Sequence, residues 1–274
     1  MRTLVVIFFL LAGCANNPPL PPKAAELNQA GAAALAAGDL GTAEARLAVA
    51  LEYSPKFTEA WVNLGYVEMK RGNYDRAKHD FKKARSLNPD LPAPHHALGV
   101  LADAKNEQKD AEGFYRAALK VDPGFVPSRV NLARRLFRRG AFEDAREQFL
   151  RLTQVEPDAP AGYVGLAECL LRLDREAEAD GVVERARTKF GDTPELLVLV
   201  ARQLLRRAAY TEAEAILAPL TDDADKSRAA SAWAWIAVAR LAREDRHGAE
   251  AAANEALKID ADDAVAKAVL GMKK

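Results

Sequence analysis

Only two cysteines occur in the chain, Cys14 and Cys169, too few for the spaced pairs that a disulfide framework needs. There is no surplus of either charge: Lys plus Arg and Asp plus Glu each total 39, so the net charge is zero. A general nucleic-acid binder needs a basic excess to displace counterions, so that class is set aside, although a local basic groove is not. Aromatic residues make up only 7%, while alanine is abundant, which favours closely packed helices over a sheet core. The four histidines, His79, His95, His96 and His247, nowhere form the two-His helix with a Glu that a metalloprotease requires. Neither a glycine-rich phosphate loop nor a strand-turn-helix serine elbow is present. Acidic pairs such as Asp222-Asp223 and Asp262-Asp263 fall in turns, where solvated charges and helix caps are expected. The chain therefore reads as a non-enzyme with no metal, cofactor or small-molecule substrate. His95 takes a packing position on its helix, and Cys169, within the apolar stretch 166–171, reads as a small buried hydrophobe.

Apolar residues make up 49% and charged residues 28%, the composition of a folded body. The longest apolar run opens the chain: Arg2 precedes Leu4-Val5-Val6-Ile7-Phe8-Phe9-Leu10-Leu11, followed by Ala12-Gly13-Cys14. One positive charge, a short apolar run and small residues describe a secretory signal, and the run is shorter than the roughly 20 residues a membrane-spanning helix needs. Leu11-Ala12-Gly13-Cys14 resembles the lipobox of bacterial lipoproteins. That resemblance implies a signal peptide over 1–13, a covalent lipid on Cys14 as the first mature residue, and, with Ala15 rather than Asp next, sorting to the outer membrane. Multiple acyl chains anchor stably where one is marginal. The Pro-rich stretch 15–22 then reads as an extended tether of about 25 Å, leading to a body that faces the periplasm.

From Ala24 onward the sequence repeats every 34 residues: Trp61-Val62-Asn63-Leu64-Gly65-Tyr66 returns as His95-His96-Ala97-Leu98-Gly99-Val100. Units run over 24–57, 58–91, 92–125, 126–159, 160–193, 194–229 and 230–263, with two extra residues near 221–225. The eighth position holds Gly31, Gly65, Gly99, Ala133, Ala167, Ala201 and Ala237. The twentieth holds Ala43, Ala77, Ala111, Ala145, Ala179, Ala213 and Ala249. Two helices crossing closely leave no room for anything larger. Phe81, Tyr115, Phe149 and Leu217 fill the remaining space from the second helix, and Pro55, Pro89, Pro123 and Pro157 end it. In the last three units the proline gives way to Gly191, Asp225 and Ala261.

Small residues, an aromatic and a proline at this period resemble the tetratricopeptide repeat (TPR) family over 24–263. The expected fold is all-α, a superhelical solenoid of helix-turn-helix units, each burying its apolar face only against its neighbours. Residues 264–274 restart a first helix and stop, which suits the cap a solenoid needs, with a partner-binding tail as the alternative.

By the same resemblance, the second, fifth, ninth, twelfth and thirteenth positions of the first helices face a concave groove. The candidate peptide-binding residues are Tyr66, Met69, Lys70, His96, Arg134, Phe137, Arg138, Leu171, Arg172, Arg202, Leu205 and Arg206. Lys70, Arg138, Arg172 and Arg206 share the thirteenth position, and Arg134 and Arg202 lie one turn earlier. Two readings stay open. Arginine forks suit a carboxylate or an acidic peptide, and a cation near a helix C-terminus is favoured by the macrodipole whatever binds. The clamp that grips chaperone C-termini in this family is not supported, since Asn63 and Asn131 recur but its lysines are missing.

A lipobox, a short tether and a TPR array together resemble the pilotin-type lipoproteins of type IV pilus biogenesis. They also resemble TPR lipoproteins of tight-adherence pili and gliding motility. The resemblance implies an outer-membrane-anchored adaptor whose partner is an envelope protein, a secretin or another outer-membrane subunit. The alternative is a structural subunit of a gliding-motility or cell-wall synthesis complex.

Overall fold

The computed structural model describes residues 19–271, so the lipobox with Cys14 and the first half of the tether lie outside the described residues. Among the described residues there are fifteen α-helices and no strand, as the repeat pattern predicts. The chain divides into two compact units, one ending at Val121 and one beginning at Asp122.

The first unit holds three helical hairpins: α1 (Pro22–Ala37) with α2 (Leu40–Tyr53), α3 (Thr58–Lys70) with α4 (Tyr74–Leu87), and α5 (Pro92–Ala104) with α6 (Gln108–Val121). Both α2 and α4 stop two residues short of Pro55 and Pro89, because the residue before a proline is pushed out of the helical region. The eighth-position glycines do more than let backbones cross. A Cβ on Gly65 would lie 2.4 Å from Cε1 of Phe81, one on Gly99 2.6 Å from Cε1 of Tyr115, and one on Gly31 2.7 Å from Cγ of Leu47. Each of these partners stands at the twenty-fourth position, so the absent side chain of one helix is filled by the large one of the next. Phe81 and Tyr115 are completely buried as a result.

The second unit holds α7 (Val126–Arg138) with α8 (Phe142–Val155), α9 (Pro160–Arg172) with α10 (Glu176–Phe190), α11 (Pro194–Arg206) with α12 (Tyr210–Leu217), and α13 (Lys226–Ala242) with α14 (Arg246–Ile259), then α15 (Ala264–Gly271). Here the eighth-position residue is alanine, and its counterparts shrink to Val183, Leu217 and Ala253. Phe149, the exception, turns its ring to the next hairpin, where a Cβ on Gly165 would meet its Cε1 at 2.3 Å. The short α12 passes at Pro219 into a 3-10 turn, Ala218–Leu220. Asp225 then caps α13, accepting hydrogen bonds from the backbone N–H of Ser227 and Arg228 at 2.9 and 3.4 Å. The extra residues near 221–225 thus give α13 an additional turn ahead of Ala230. At the far end α15 buries Ala266 and Val269 against the core it shares with α13 and α14.

One backbone feature recurs in both units. Each first helix closes on a residue in the left-handed region: Gly38, Gly72, Asn106, Gly140, Asp174, Ala208 and Glu244, with φ between 56° and 83°. Only three of these are glycine, the residue that adopts this conformation without strain.

Candidate protein-binding groove

The entry of the second, third and fourth first helices is fixed by a bond that the sequence does not announce. Trp61 donates from Nε1 to the Pro55 carbonyl at 2.9 Å, and His95 Nε2 to the Pro89 carbonyl at 3.1 Å. The Arg129 guanidinium donates likewise to the Pro123 carbonyl. All three side chains stand at the fourth position of their units and reach back six residues. The expectation that His95 simply packs is thereby refined: its ring ties the helix entry. The only trace in the sequence is a donor six residues after the stop proline.

In the first unit, the groove-phase side chains are largely built into the core. Tyr66 is half-buried, its ring 5.1 Å from that of Phe81, and burial pushes its hydroxyl up to about 12. Met69 is half-buried against the core formed by Phe81, Leu98 and Leu101. His96 lies 5.6 Å from the Tyr115 ring, and burial holds its pKa down at about 4, so it is neutral at pH 7. Lys70 Nζ sits 3.5 Å from the Leu35 carbonyl at the end of α1. Asn63 donates to Asn28 at 2.8 Å. Tyr66, Met69 and His96, read from sequence as groove residues, thus also pack within this unit.

In the second unit the arginine stripe splits three ways. Arg206 is tied to α10, its guanidinium 3.2 Å from Glu176 and 2.5 Å from Asp180. Read from sequence as a peptide contact, it also joins one hairpin to the previous one, as Arg240 does with Glu214 at 2.6 Å. Arg172 and Arg202 lie over aromatic faces, Cζ 4.8 Å from the Phe142 ring and 4.9 Å from the Trp235 ring respectively. Arg134 and Arg138 are exposed, and among the described residues no carboxylate pairs with either.

Those two arginines line an open groove of about 570 Å³ between α7 and α9, together with Phe137, Val164 and Glu168 and floored by Phe149 and Gly165. Its other end is closed by Arg228, which binds Glu195 at 2.7 Å, Asp223 at 3.0 Å and Asp225 at 3.2 Å. Leu171 and Leu205 are half-buried and do not line it. Of the twelve residues proposed from sequence, the structure brings together Arg134, Phe137 and Arg138. Glu168, whose ninth position also faces the groove by the repeat pattern, lines it too, its carboxyl pushed up by burial while Arg202 and Arg172 pull it down. An apolar floor with a basic rim can hold an extended peptide through side-chain pockets and carboxylate pairing.

The tetratricopeptide repeat family pattern matches residues 58–91 and again 130–192. Among curated proteins, the chain is 26% identical over 157 residues to the type IV pilus assembly protein PilF of Pseudomonas aeruginosa, covering 57% of this chain and 62% of that one. The match thus spans less than two thirds of that relative's length. In three dimensions the chain resembles a tetratricopeptide repeat protein from Parabacteroides merdae with a TM-score of 0.63 at 16% identity, covering 92% of this chain and 98% of the other. It also resembles the solved structure of Pseudomonas aeruginosa pilF with a TM-score of 0.60 at 21% identity, over 79% and 97% of the two chains. The fold is a tetratricopeptide-repeat solenoid, an all-helical scaffold of the kind that binds other proteins.

Proposed function

We propose that this chain is an outer-membrane-anchored adaptor without catalytic activity of its own, which assists assembly of an envelope machine of the type IV pilus kind, with a secretin or a comparable outer-membrane subunit as its partner. The observation that carries this reading is the 26% identity over 157 residues to a type IV pilus assembly protein. The groove lends support, because a rim with two arginines that pair with no carboxylate among the described residues, over an aromatic floor, suits protein capture. A lipid on Cys14 would tether the body to the membrane and raise the local concentration of solenoid beside its partner.

The test is affinity capture from detergent-solubilised envelopes with the full chain, beside an Arg134→Glu/Arg138→Glu variant and a Cys14→Ser variant. The wild type should enrich one outer-membrane protein that the double variant loses, and the Cys14 variant should leave the membrane fraction. Equal capture by wild type and double variant would move the binding surface away from the groove. A Cys14 variant that stays membrane-bound would remove the anchor.

A further inference from the structure

Position nine of three successive first helices in the second unit reads Arg134, Glu168, Arg202. Glu168 thus lies between two cations in sequence register, yet it makes no ion pair with either within 4 Å. The Arg202 guanidinium sits over Trp235 at 4.9 Å, and that of Arg172, a turn further along α9, over Phe142 at 4.8 Å. Elsewhere in this unit the fold pairs its half-buried acids directly: Asp180 meets Arg206 at 2.5 Å and Glu214 meets Arg240 at 2.6 Å. Glu168 is half-buried, lines the groove, and among the described residues accepts no hydrogen bond from a side chain. A carboxylate in that position is costly until a donor reaches it.

We infer that the groove selects a partner segment of mixed charge: a carboxylate for Arg134 and Arg138, an apolar side chain over Phe137 and Phe149, and an ammonium or guanidinium for Glu168. This rests on the groove being the partner-binding face. Packed helices lie about 8–10 Å apart, and an extended chain advances about 3.3 Å per residue, so the two charges stand roughly three residues apart in the partner. A purely acidic tail, which the arginines alone would accept, is disfavoured because it brings a second carboxylate toward Glu168 and leaves that group without a donor.

Fluorescence anisotropy with the full chain tests this, using as probe a blocked octapeptide Gly-Ser-Asp-Leu-Ser-Lys-Ser-Gly and versions with the lysine replaced by Ala or Glu. The wild type should prefer the lysine probe to the alanine probe by about tenfold, the worth of one charge-assisted hydrogen bond. Glu168→Gln should erase that preference, and Glu168→Lys should move it to the glutamate probe. Circular dichroism melting checks that the variants are folded, and the near-isosteric Gln variant carries the test if the Lys variant is not. If Glu168→Gln keeps the preference while Arg134→Glu/Arg138→Glu abolishes binding, Glu168 is no part of recognition and the groove reading survives alone. If the double arginine variant binds as the wild type does, or no probe binds the wild type, the groove reading falls with it.

Discussion

The two units solve one packing problem in opposite ways. Up to Val121, each hairpin sets glycine at its eighth position under a large partner, Leu47, Phe81 or Tyr115. From Asp122 onward, alanine takes that place, the counterpart is Val183, Leu217 or Ala253, and Phe149 turns its ring to Gly165 of the next hairpin. Where glycine leaves room, a large side chain takes it, since interiors are close-packed and feel even one methylene. The same split governs the groove phase. Tyr66, Met69 and His96 of the first unit sink into packing, while Arg134, Phe137 and Arg138 of the second line an open surface.

The largest break in this comparison should come from Phe81→Ala, which empties the space over Gly65 and should cost about 3–5 kcal/mol, read as a drop in the urea midpoint. Next is acid. The folded His96 holds its pKa at about 4, against 6.5 for the unperturbed group, so the unfolded chain binds the proton first. The stability due to neutral His96 is fully present above pH 6.5 and is lost as pH falls from 6.5 toward about 4, up to about 3 kcal/mol. A His96→Gln chain should lack that slope in a denaturation series across the window.

A smaller effect follows from Gly65→Ala, whose Cβ would press on the Phe81 ring and should cost about 1–3 kcal/mol. Adding Phe81→Leu, which recreates the Ala201 and Leu217 pair of the second unit, should recover part of it in a double-mutant cycle. The smallest change is a gain: Ala208→Gly and Glu244→Gly relieve left-handed backbone at φ 58° and 66° and should each add up to about 1 kcal/mol, seen as a raised Tm.

Much of the architecture was legible. The 34-residue period, the small eighth and twentieth residues and the stop prolines are local requirements of crossing helices, and each leaves its mark in residue type. The hairpin closures were half legible. Gly38, Gly72 and Gly140 suit the left-handed turn, but Ala208 and Glu244 hold it only because packed helices on both sides leave the chain no other path. The helix entries at Trp61, His95 and Arg129 escaped because three unlike side chains do one task, donating to a carbonyl six residues back.

The sequence by itself determined the repeat, its all-helical character and the phase of the side chains facing inward, since period and residue size act over one hairpin. Tertiary structure alone decided which arginines stay open to a partner. Arg138, Arg172 and Arg206 share one phase, yet Arg206 finds Asp180, Arg172 finds the Phe142 ring and Arg138 finds no carboxylate among the described residues. A long cationic side chain goes to whatever a neighbouring hairpin offers, and what that hairpin offers lies dozens of residues away in sequence.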